Sequence, residues 1–227
     1  MAKAANLSEV DHDRVSAAVH TAEAGTAGEI VTIVAEESDR YRDVALWWSA
    51  TAGVLALVFI SVFPEWPLSW LSWLGGGWEA ELTLAESFEL ALALFVLKFV
   101  GTRLILLWRP LLLLLTPKFI KRDRTHRRAV RYFKVGAERR TTGRTGILIY
   151  LSLDEHMAEI VADSAIHSVV PAEAWGAAMA KLIAEARQGR IADGMIAAIG
   201  EVGTILAEHF PRADDDQNEL PDRLIEL

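Results

Sequence analysis

The feature of this sequence that most constrains its fold is an uninterrupted run of 20 uncharged residues at 44–63, VALWWSATAGVLALVFISVF. An α-helix rises about 1.5 Å per residue, so such a run matches the roughly 30 Å hydrocarbon core of a bilayer. Core helices of soluble domains are rarely apolar on every side over this length. A largely polar stretch of 43 residues precedes the run and no small-residue cleavage site follows it, which argues against a signal peptide. The run predicts a transmembrane helix.

A second apolar stretch, residues 90–116, is less uniform because it contains Lys98, Arg103 and Arg109. Each basic side chain costs roughly 2.5–3.5 kcal/mol at the centre of a span, although long side chains can reach the interface. Such charges could instead mark an ion or anion path. Two helices cannot enclose a pore in a monomer, so we favour the interfacial interpretation. The sequence therefore predicts a transmembrane hairpin over 44–116, with a kink at Pro110.

The charges are segregated in a way that predicts the orientation of this hairpin. The formal net charge is −8, yet residues 98–144 carry 14 Lys and Arg against 2 Asp and Glu. The loop between the spans, 64–89, carries 5 Glu, several Trp and no basic residue. Basic flanks of a span stay in the cytoplasm. We therefore expect a multi-pass protein of the cell (inner) membrane, with both termini in the cytoplasm and the acidic, Trp-rich loop outside.

Aromatic and basic residues near the ends of the spans are candidates for contact with lipid headgroups, where amphipathic rings and cationic side chains are enriched. They are Trp47, Trp48, Trp66, Trp70, Trp73, Arg122, Arg127 and Arg128. A ligand-binding role for the tryptophans is the alternative. The basic segment 118–134 could likewise bind nucleic acid. Its position beside a span favours anionic lipid headgroups instead, and we expect no nucleic-acid partner.

The polar segments on either side of the hairpin predict one split α/β domain, formed by residues 1–43 and 117–210, with 211–227 as a C-terminal tail. Ser8 with Asp11 three residues later indicates the start of a helix. Residues 29–36, 146–153 and 158–161 are rich in β-branched and apolar residues and predict strands. Further helices are expected at 118–140, from Pro171 to about 188, and at 193–210. One helix and one strand cannot fold alone, so the first segment needs the second.

Several segments resemble the TPM domain family. They are TAGEIV at 26–31, RTGILIYLSLDEHMAEIVAD at 144–163, Pro171 with Trp175, ADGMIAAIG at 192–200 and the tail NELPDRLIEL. More closely, the chain is similar to a bacterial membrane-protein branch in which a transmembrane hairpin interrupts the domain after its first strand. The resemblance implies a three-layer α/β/α sandwich around a small mixed sheet. Its motifs are strand cores and caps, which specify the fold better than an activity.

Some plant members of that family are credited with acid phosphatase activity and calcium binding, so the resemblance raises the question of a metal site. The carboxylates at strand or helix ends are Glu36, Glu37, Asp39, Asp154, Glu155, Asp163 and Asp193. We expect no cofactor. Calcium, which takes six to eight oxygen ligands, is the alternative, with Asp163 and Asp193 as the candidate metal ligands. Helix caps and turns are the alternative role for the same residues.

The sequence offers no recognisable catalytic constellation. It has no cysteine, which excludes disulfides, zinc ribbons, iron–sulfur clusters and thiol nucleophiles. It also lacks HExxH spacing, a Gly-rich phosphate loop and a GxSxG elbow, so we assign no catalytic and no cofactor-binding residue. Two functions stay open. The chain is either a membrane-anchored module that regulates or scaffolds another membrane protein or a second copy of itself, or it is a membrane-anchored metal-dependent phosphatase-like hydrolase.

Overall fold

A computed structural model describes residues 7–66, 69, 83–136, 145–212 and 222–227. Trp70, Trp73, most of the loop 64–89, residues 137–140 of the predicted helix 118–140 and most of the tail lie outside the described residues. The strands are β1 (Glu29–Ala35), β2 (Gly146–Ser152), β3 (Met157–Ala162) and β4 (Leu224–Glu226). The helices are α1 (Glu9–Glu23), α2 (Arg42–Val62), α3 (Leu84–Ile105), α4 (Arg109–Leu115), α5 (Lys118–Gly136), α6 (Ser164–Val169), α7 (Gly176–Ala186) and α8 (Ile191–His209).

The chain divides into two units. We call the first, Met1–Arg40 with Lys118–Leu227, the sheet unit, and the second, Tyr41–Pro117, the hairpin unit. The sheet unit holds a mixed four-stranded sheet in the order β3-β2-β1-β4. β1 pairs in parallel with β2 from Glu29 opposite Gly146 to Ala35 opposite Ser152, while β3 is antiparallel to β2. β4 pairs in parallel with the other edge of β1, at a place where we had predicted no strand.

Helices cover both faces of this sheet, because alternate residues of the buried strands point to opposite sides. On one face Ile30 and Val34 of β1 pack with α1, α7 and α8. On the other face Val31 and Ile33 pack with Ala129 and Phe133 of α5. The predicted α/β fold with helices on either side of a small mixed sheet is confirmed.

The start of α1 shows how local sequence sets an element. Ser8 caps the helix, since its hydroxyl accepts the N–H of Asp11 and the Asp11 carboxylate accepts the N–H of Ser8. The predicted capping box is therefore present. Val15 and Val19 follow one turn apart and are fully buried against the sheet. A capping pair fixes the first turn, and the apolar stripe supplies the reason for the helix to dock.

The TAGEIV segment is structural in role. The hydroxyl of Thr26 donates to the carbonyl of Phe210 at 2.6 Å and accepts the N–H of Gly28 at 3.0 Å. A Cβ at Gly28 would lie 2.9 Å from a methyl carbon of the buried Leu206, so a larger residue would force the Leu206 side chain to move. This motif holds the entry of β1 against the end of α8.

The structure corrects several predicted helix limits. Pro171 precedes a 3-10 turn, Ala172–Trp175, and α7 begins only at Gly176. The short helix α6 was not predicted. The last helix begins at Ile191 instead of Asp193, because Gly189, in the left-handed region at φ 80°, reverses the chain just before it. Asp193 therefore lies in the first turn of α8 and does not cap it.

In the hairpin unit, α2 is long and apolar enough to cross a membrane, whereas α3 and α4 meet that standard only as a pair. The second predicted segment, 90–116, is not one continuous helix. α3 and α4 meet at 106°, and the break lies at residues 106–108. Pro110 sits in the first turn of α4, a position that proline tolerates, so it begins a new helix instead of kinking a long one.

The two halves of the sheet unit should unfold together, because β1 and β2 are neighbours in one sheet. Ile33→Asp buries an unpaired charge between the sheet and α5, and we expect a loss of more than about 4 kcal/mol of stability. Ile33→Val, the matched control, should cost about 0.5–1.5 kcal/mol. Thermal unfolding of the solubilised protein followed by circular dichroism measures both. A cooperative, near-wild-type transition in the Asp variant would contradict a shared core.

Candidate functional site

The carboxyl edge of the parallel strands is the first place to look for a site, because ligands of open α/β sheets bind beyond the carboxyl ends of the strands. β1 and β2 end side by side at Ala35 and Ser152. The following loops are joined by main-chain hydrogen bonds, from Leu153 N to Ala35 O and from Asp154 N to Glu36 O, each 3.0 Å. The structure thus gathers five of the seven sequence-predicted carboxylates at one edge, namely Glu36, Glu37, Asp39, Asp154 and Glu155.

A buried group of polar side chains, which we call the edge network, lies under these loops. It consists of Ser38, Tyr150, Ser152 and Glu155. The Ser38 hydroxyl donates to Ser152 Oγ at 2.8 Å and lies 3.1 Å from the Tyr150 hydroxyl. Ser152 in turn donates to a carboxylate oxygen of Glu155. Both Glu155 oxygens lie 3.2 Å from the N–H of Ser38, which donates to them.

The edge network is suited to holding two loops together. Its hydroxyls and carboxylate bond to one another inside the protein, so each buried polar group is satisfied. Burial raises the pKa of Tyr150, against the lowering effect of its hydrogen bonds to Ser38 and Ser152, and the phenol stays protonated at neutral pH. A reacting group must reach its substrate, whereas Ser152 is fully buried. The network fixes the β1 loop to the β2–β3 turn.

At the rim of this edge, Arg124 of α5 pairs with Asp39, at 3.0 Å between Nη1 and Oδ2. Further along α5, Tyr132 packs on Tyr150 with ring centroids 5.9 Å apart, and the Arg128 guanidinium lies 5.1 Å from the Tyr132 centroid. One face of α5 is therefore committed to the sheet. Its partly exposed ion pair is worth little by itself, because water screens the charges.

The remaining sequence-predicted residues are spread over both units. Arg122 and Arg127 are exposed on α5, where Arg127 pairs with Asp123 at 3.0 Å, while Arg128 is half-buried. Trp47, Trp48 and Trp66 are exposed in the hairpin unit. This exposure is compatible with the predicted contact with lipid headgroups, which stays a prediction.

The two candidate metal ligands do not come together. Asp163 caps α6 by accepting the N–H of Ser164 at 2.6 Å, and its own N–H donates to Gly146 O at the amino edge of the sheet. Asp193 accepts from Arg14 Nη2 at 2.5 Å, toward the opposite edge. Within the part of the chain that the structure describes, no three His, Asp or Glu side chains form a group that could hold a metal ion.

Sequence reasoning missed one unusual carboxyl group, Glu23 at the amino edge. Its Oε1 accepts the N–H of Ile30 at 2.7 Å, and the residue is only 8% exposed. Burial raises the pKa of Glu23 to about 8, the hydrogen bond from Ile30 opposes this, and the charges of Glu29 and Asp222 add to it. The signal was available, since Glu23 continues the buried i, i+4 series of Val15 and Val19.

Comparisons with known proteins agree with this fold. A family model described as the TPM domain matches residues 111–205, which confirms the resemblance to the TPM domain family but does not test the membrane-protein branch. A solved structure, the NMR structure of BA42 protein from the psychrophilic bacteria Bizionia argentinensis sp. nov., is similar with a TM-score of 0.57 and 17% sequence identity. The similarity covers 100% of both chains, and at this identity it concerns the fold alone. No curated protein matches the chain.

The raised pKa of Glu23 predicts a pH dependence of stability. Glu23 titrates near its ordinary value of 4.5 when unfolded and near 8 when folded, so the folded protein holds the extra proton between these values. The contribution of Glu23 to stability is therefore full below about pH 4.5 and falls as pH rises to about 8, by up to about 1.4 kcal/mol per pH unit. Glu23→Gln keeps an oxygen for the N–H of Ile30 without a charge, and should remove this slope and be more stable than wild type at pH 8.

Thermal melts at pH 5, 6.5 and 8 test this expectation. The control is Glu9→Gln, a change at an exposed position of the same helix, which should keep the wild-type slope. Equal slopes in wild type and Glu23→Gln would show that Glu23 does not carry the effect.

Proposed function

We propose that this chain, which carries a TPM domain at residues 111–205, is an integral membrane protein whose sheet unit is a cytoplasmic module that regulates or scaffolds other membrane proteins. The observation that carries the proposal is the apolar outer surface of α2. Only 22% of its most apolar window is buried, and Leu46, Val54, Leu55, Val58 and Val62 are more than half exposed. In water this would be an apolar patch of a kind that soluble monomers avoid, whereas lipid accepts it.

The charge pattern supports the orientation that we propose. Basic residues dominate 98–144, and the loop 64–89 has none, so the positive-inside rule directs both termini to the cytoplasm of an inner membrane. The exposed face of α5 carries Arg122, Arg127, Arg131 and Lys134. This segment directly follows the hairpin in sequence, and anionic lipid headgroups would satisfy its charge. Lipid, another membrane protein or a second copy are the partners that we propose, and nucleic acid is not.

An interaction module fits the chemistry of the sheet unit better than a hydrolase does. The hydroxyls and the carboxylate of the edge network hydrogen-bond across two loops and join them. Asp163 caps a helix, and Asp193 pairs with Arg14. These are positioning roles for the side chains that a metal-dependent hydrolase would need as ligands. The alternative function, a membrane-anchored phosphatase-like hydrolase using calcium, rests on the family resemblance and ranks second.

The topology can be tested with single cysteines, because the chain has none of its own. Ala17→Cys and Ser164→Cys lie at exposed positions of the two segments of the sheet unit. In intact cells both should resist a membrane-impermeant thiol reagent, while Ser72→Cys in the loop between the spans should react. All three should react after permeabilisation. Reaction at Ser164 alone of the first two would mean an odd number of spans and would refute the hairpin.

The choice between module and hydrolase can be tested by thermal melts of the detergent-solubilised protein, first with chelator and then with calcium or magnesium, beside a generic phosphate-ester assay. We expect no saturable shift of the melting temperature and no turnover. A metal bound only by the folded state would raise the melting temperature by mass action. A saturable shift of the melting temperature with either cation, together with turnover that the chelator abolishes, would establish the hydrolase instead.

A further inference from the structure

The break between α3 and α4 changes what the second apolar segment does. We call residues 106–115, the turn and α4, the elbow. Proline kinks bend a helix but leave it running in roughly the same direction. The elbow turns the chain by 106°, so α4 runs across the direction of α3 and cannot prolong it as one span. α3 meets the composition standard for a span only together with α4, but its own 22 residues, at about 1.5 Å per residue, are long enough to cross the hydrocarbon core.

The packing of α2 against α3 gives the depth of the elbow. The two helices approach closely at Gly53, where a Cβ would lie 2.6 Å from Cε2 of Phe95. The turn at Leu106 begins eleven residues after Phe95, and α2 begins at Arg42, eleven residues before Gly53. In an antiparallel pair these two points lie at the same level. The elbow therefore lies level with the start of α2.

α4 lies beside the first turns of α2. The indole N–H of Trp48 donates to the carbonyl of Leu115 at 3.3 Å, and Leu112 is buried. Side chains of a helix point toward its N-terminus, so the Trp48 ring reaches back toward the start of α2. These contacts hold α4 at that end of the hairpin.

The exposed surface at this level has the chemistry of a membrane interface. Trp47 is 74% exposed, Trp108 62% and Leu114 79%. Arg103 and Arg109, both half-buried, lie on either side of the turn. Tryptophan and arginine are enriched in the headgroup layer, where indole rings and long basic side chains have both an apolar and a polar surrounding. If this surface faced water, its leucines would form an exposed apolar patch. If it lay at the centre of the bilayer, its arginines would have no polar surroundings.

We infer that the elbow lies flat in the headgroup layer and binds the bilayer surface, with Leu107, Trp108 and Leu114 inserted among the parts of the acyl chains next to the headgroups. This rests on the proposed membrane anchoring and deepens it. The second span is then α3 alone. Arg103 lies within one turn of the interface, and Lys98 lies about 12 Å from the elbow at about 1.5 Å per residue, within reach of a long side chain.

Depth measurements on single nitroxide-labelled cysteines test the inference. The full chain carrying Leu97→Cys, Leu107→Cys or Leu114→Cys, each at an exposed position, is reconstituted in phosphatidylcholine–phosphatidylglycerol vesicles. Power saturation with oxygen and with a water-soluble nickel complex gives the depth of each label. We expect the depths of labels 107 and 114 to differ by no more than about 4 Å, with both labels near the headgroups. Label 97 should lie about 15 Å deeper than label 107, from the helical rise.

Each other outcome points to a distinct error. A continuous helix would separate labels 107 and 114 by about 10 Å in depth, and this result would overturn the inference while leaving the anchoring intact. A label at 114 shielded from both oxygen and nickel would indicate a protein contact in place of lipid and would also overturn it. A label at 97 in water would refute the membrane anchoring itself. Leu104→Cys, exposed on the last turn of α3, is the control for tolerance of a label near the turn.

Discussion

The parallel pairing of β1 with β2 is the constraint on which the sheet unit depends. A parallel pair cannot be closed by a tight turn and needs a crossover connection. Here the crossover runs from residue 36 to residue 145 and contains the whole hairpin unit as well as α5. The entropy of closing a connection grows only slowly with its length, so a long insertion is tolerated wherever both strands gain a buried neighbour. The seven-residue register of β1 and β2, buried throughout, supplies that gain.

The same pairing explains why the loops at the carboxyl edge are hydrogen-bonded to one another. Two loops that leave adjacent parallel strands carry main-chain groups and polar side chains into one crevice, and each needs a partner. Glu155 meets this need by accepting from the Ser38 N–H and from the Ser152 hydroxyl, so that one carboxylate ties the first segment of the chain to the second. Around this buried group, Glu36 is exposed, and Glu37, Asp39 and Asp154 are half-buried.

Glu23 and the elbow are both departures from simple patterning, in opposite directions. The carboxyl group of Glu23 lies in the apolar stripe of α1, and burial raises its pKa from the ordinary 4.5 to about 8, so that it stays neutral at neutral pH. In the hairpin unit, an apolar stretch with basic residues divides at a 106° break into α3 and the cross-running α4, and Trp108 in the break and Leu114 on α4 are exposed. In each case the environment decides which chemical form or which path has the lower free energy.

The sequence determined by itself the elements whose cause is local. Strands 29–35 and 146–152 follow from their β-branched runs, the start of α1 from its capping pair, and the apolar α2 from its composition. Tertiary structure decided the rest. β4 has three residues and exists because β1 offers an open edge, Asp193 meets Arg14 from 179 positions away, and the 106° turn depends on how α4 packs beside α2. Such features depend on partners that are distant in sequence, so the propensities of neighbouring residues do not predict them.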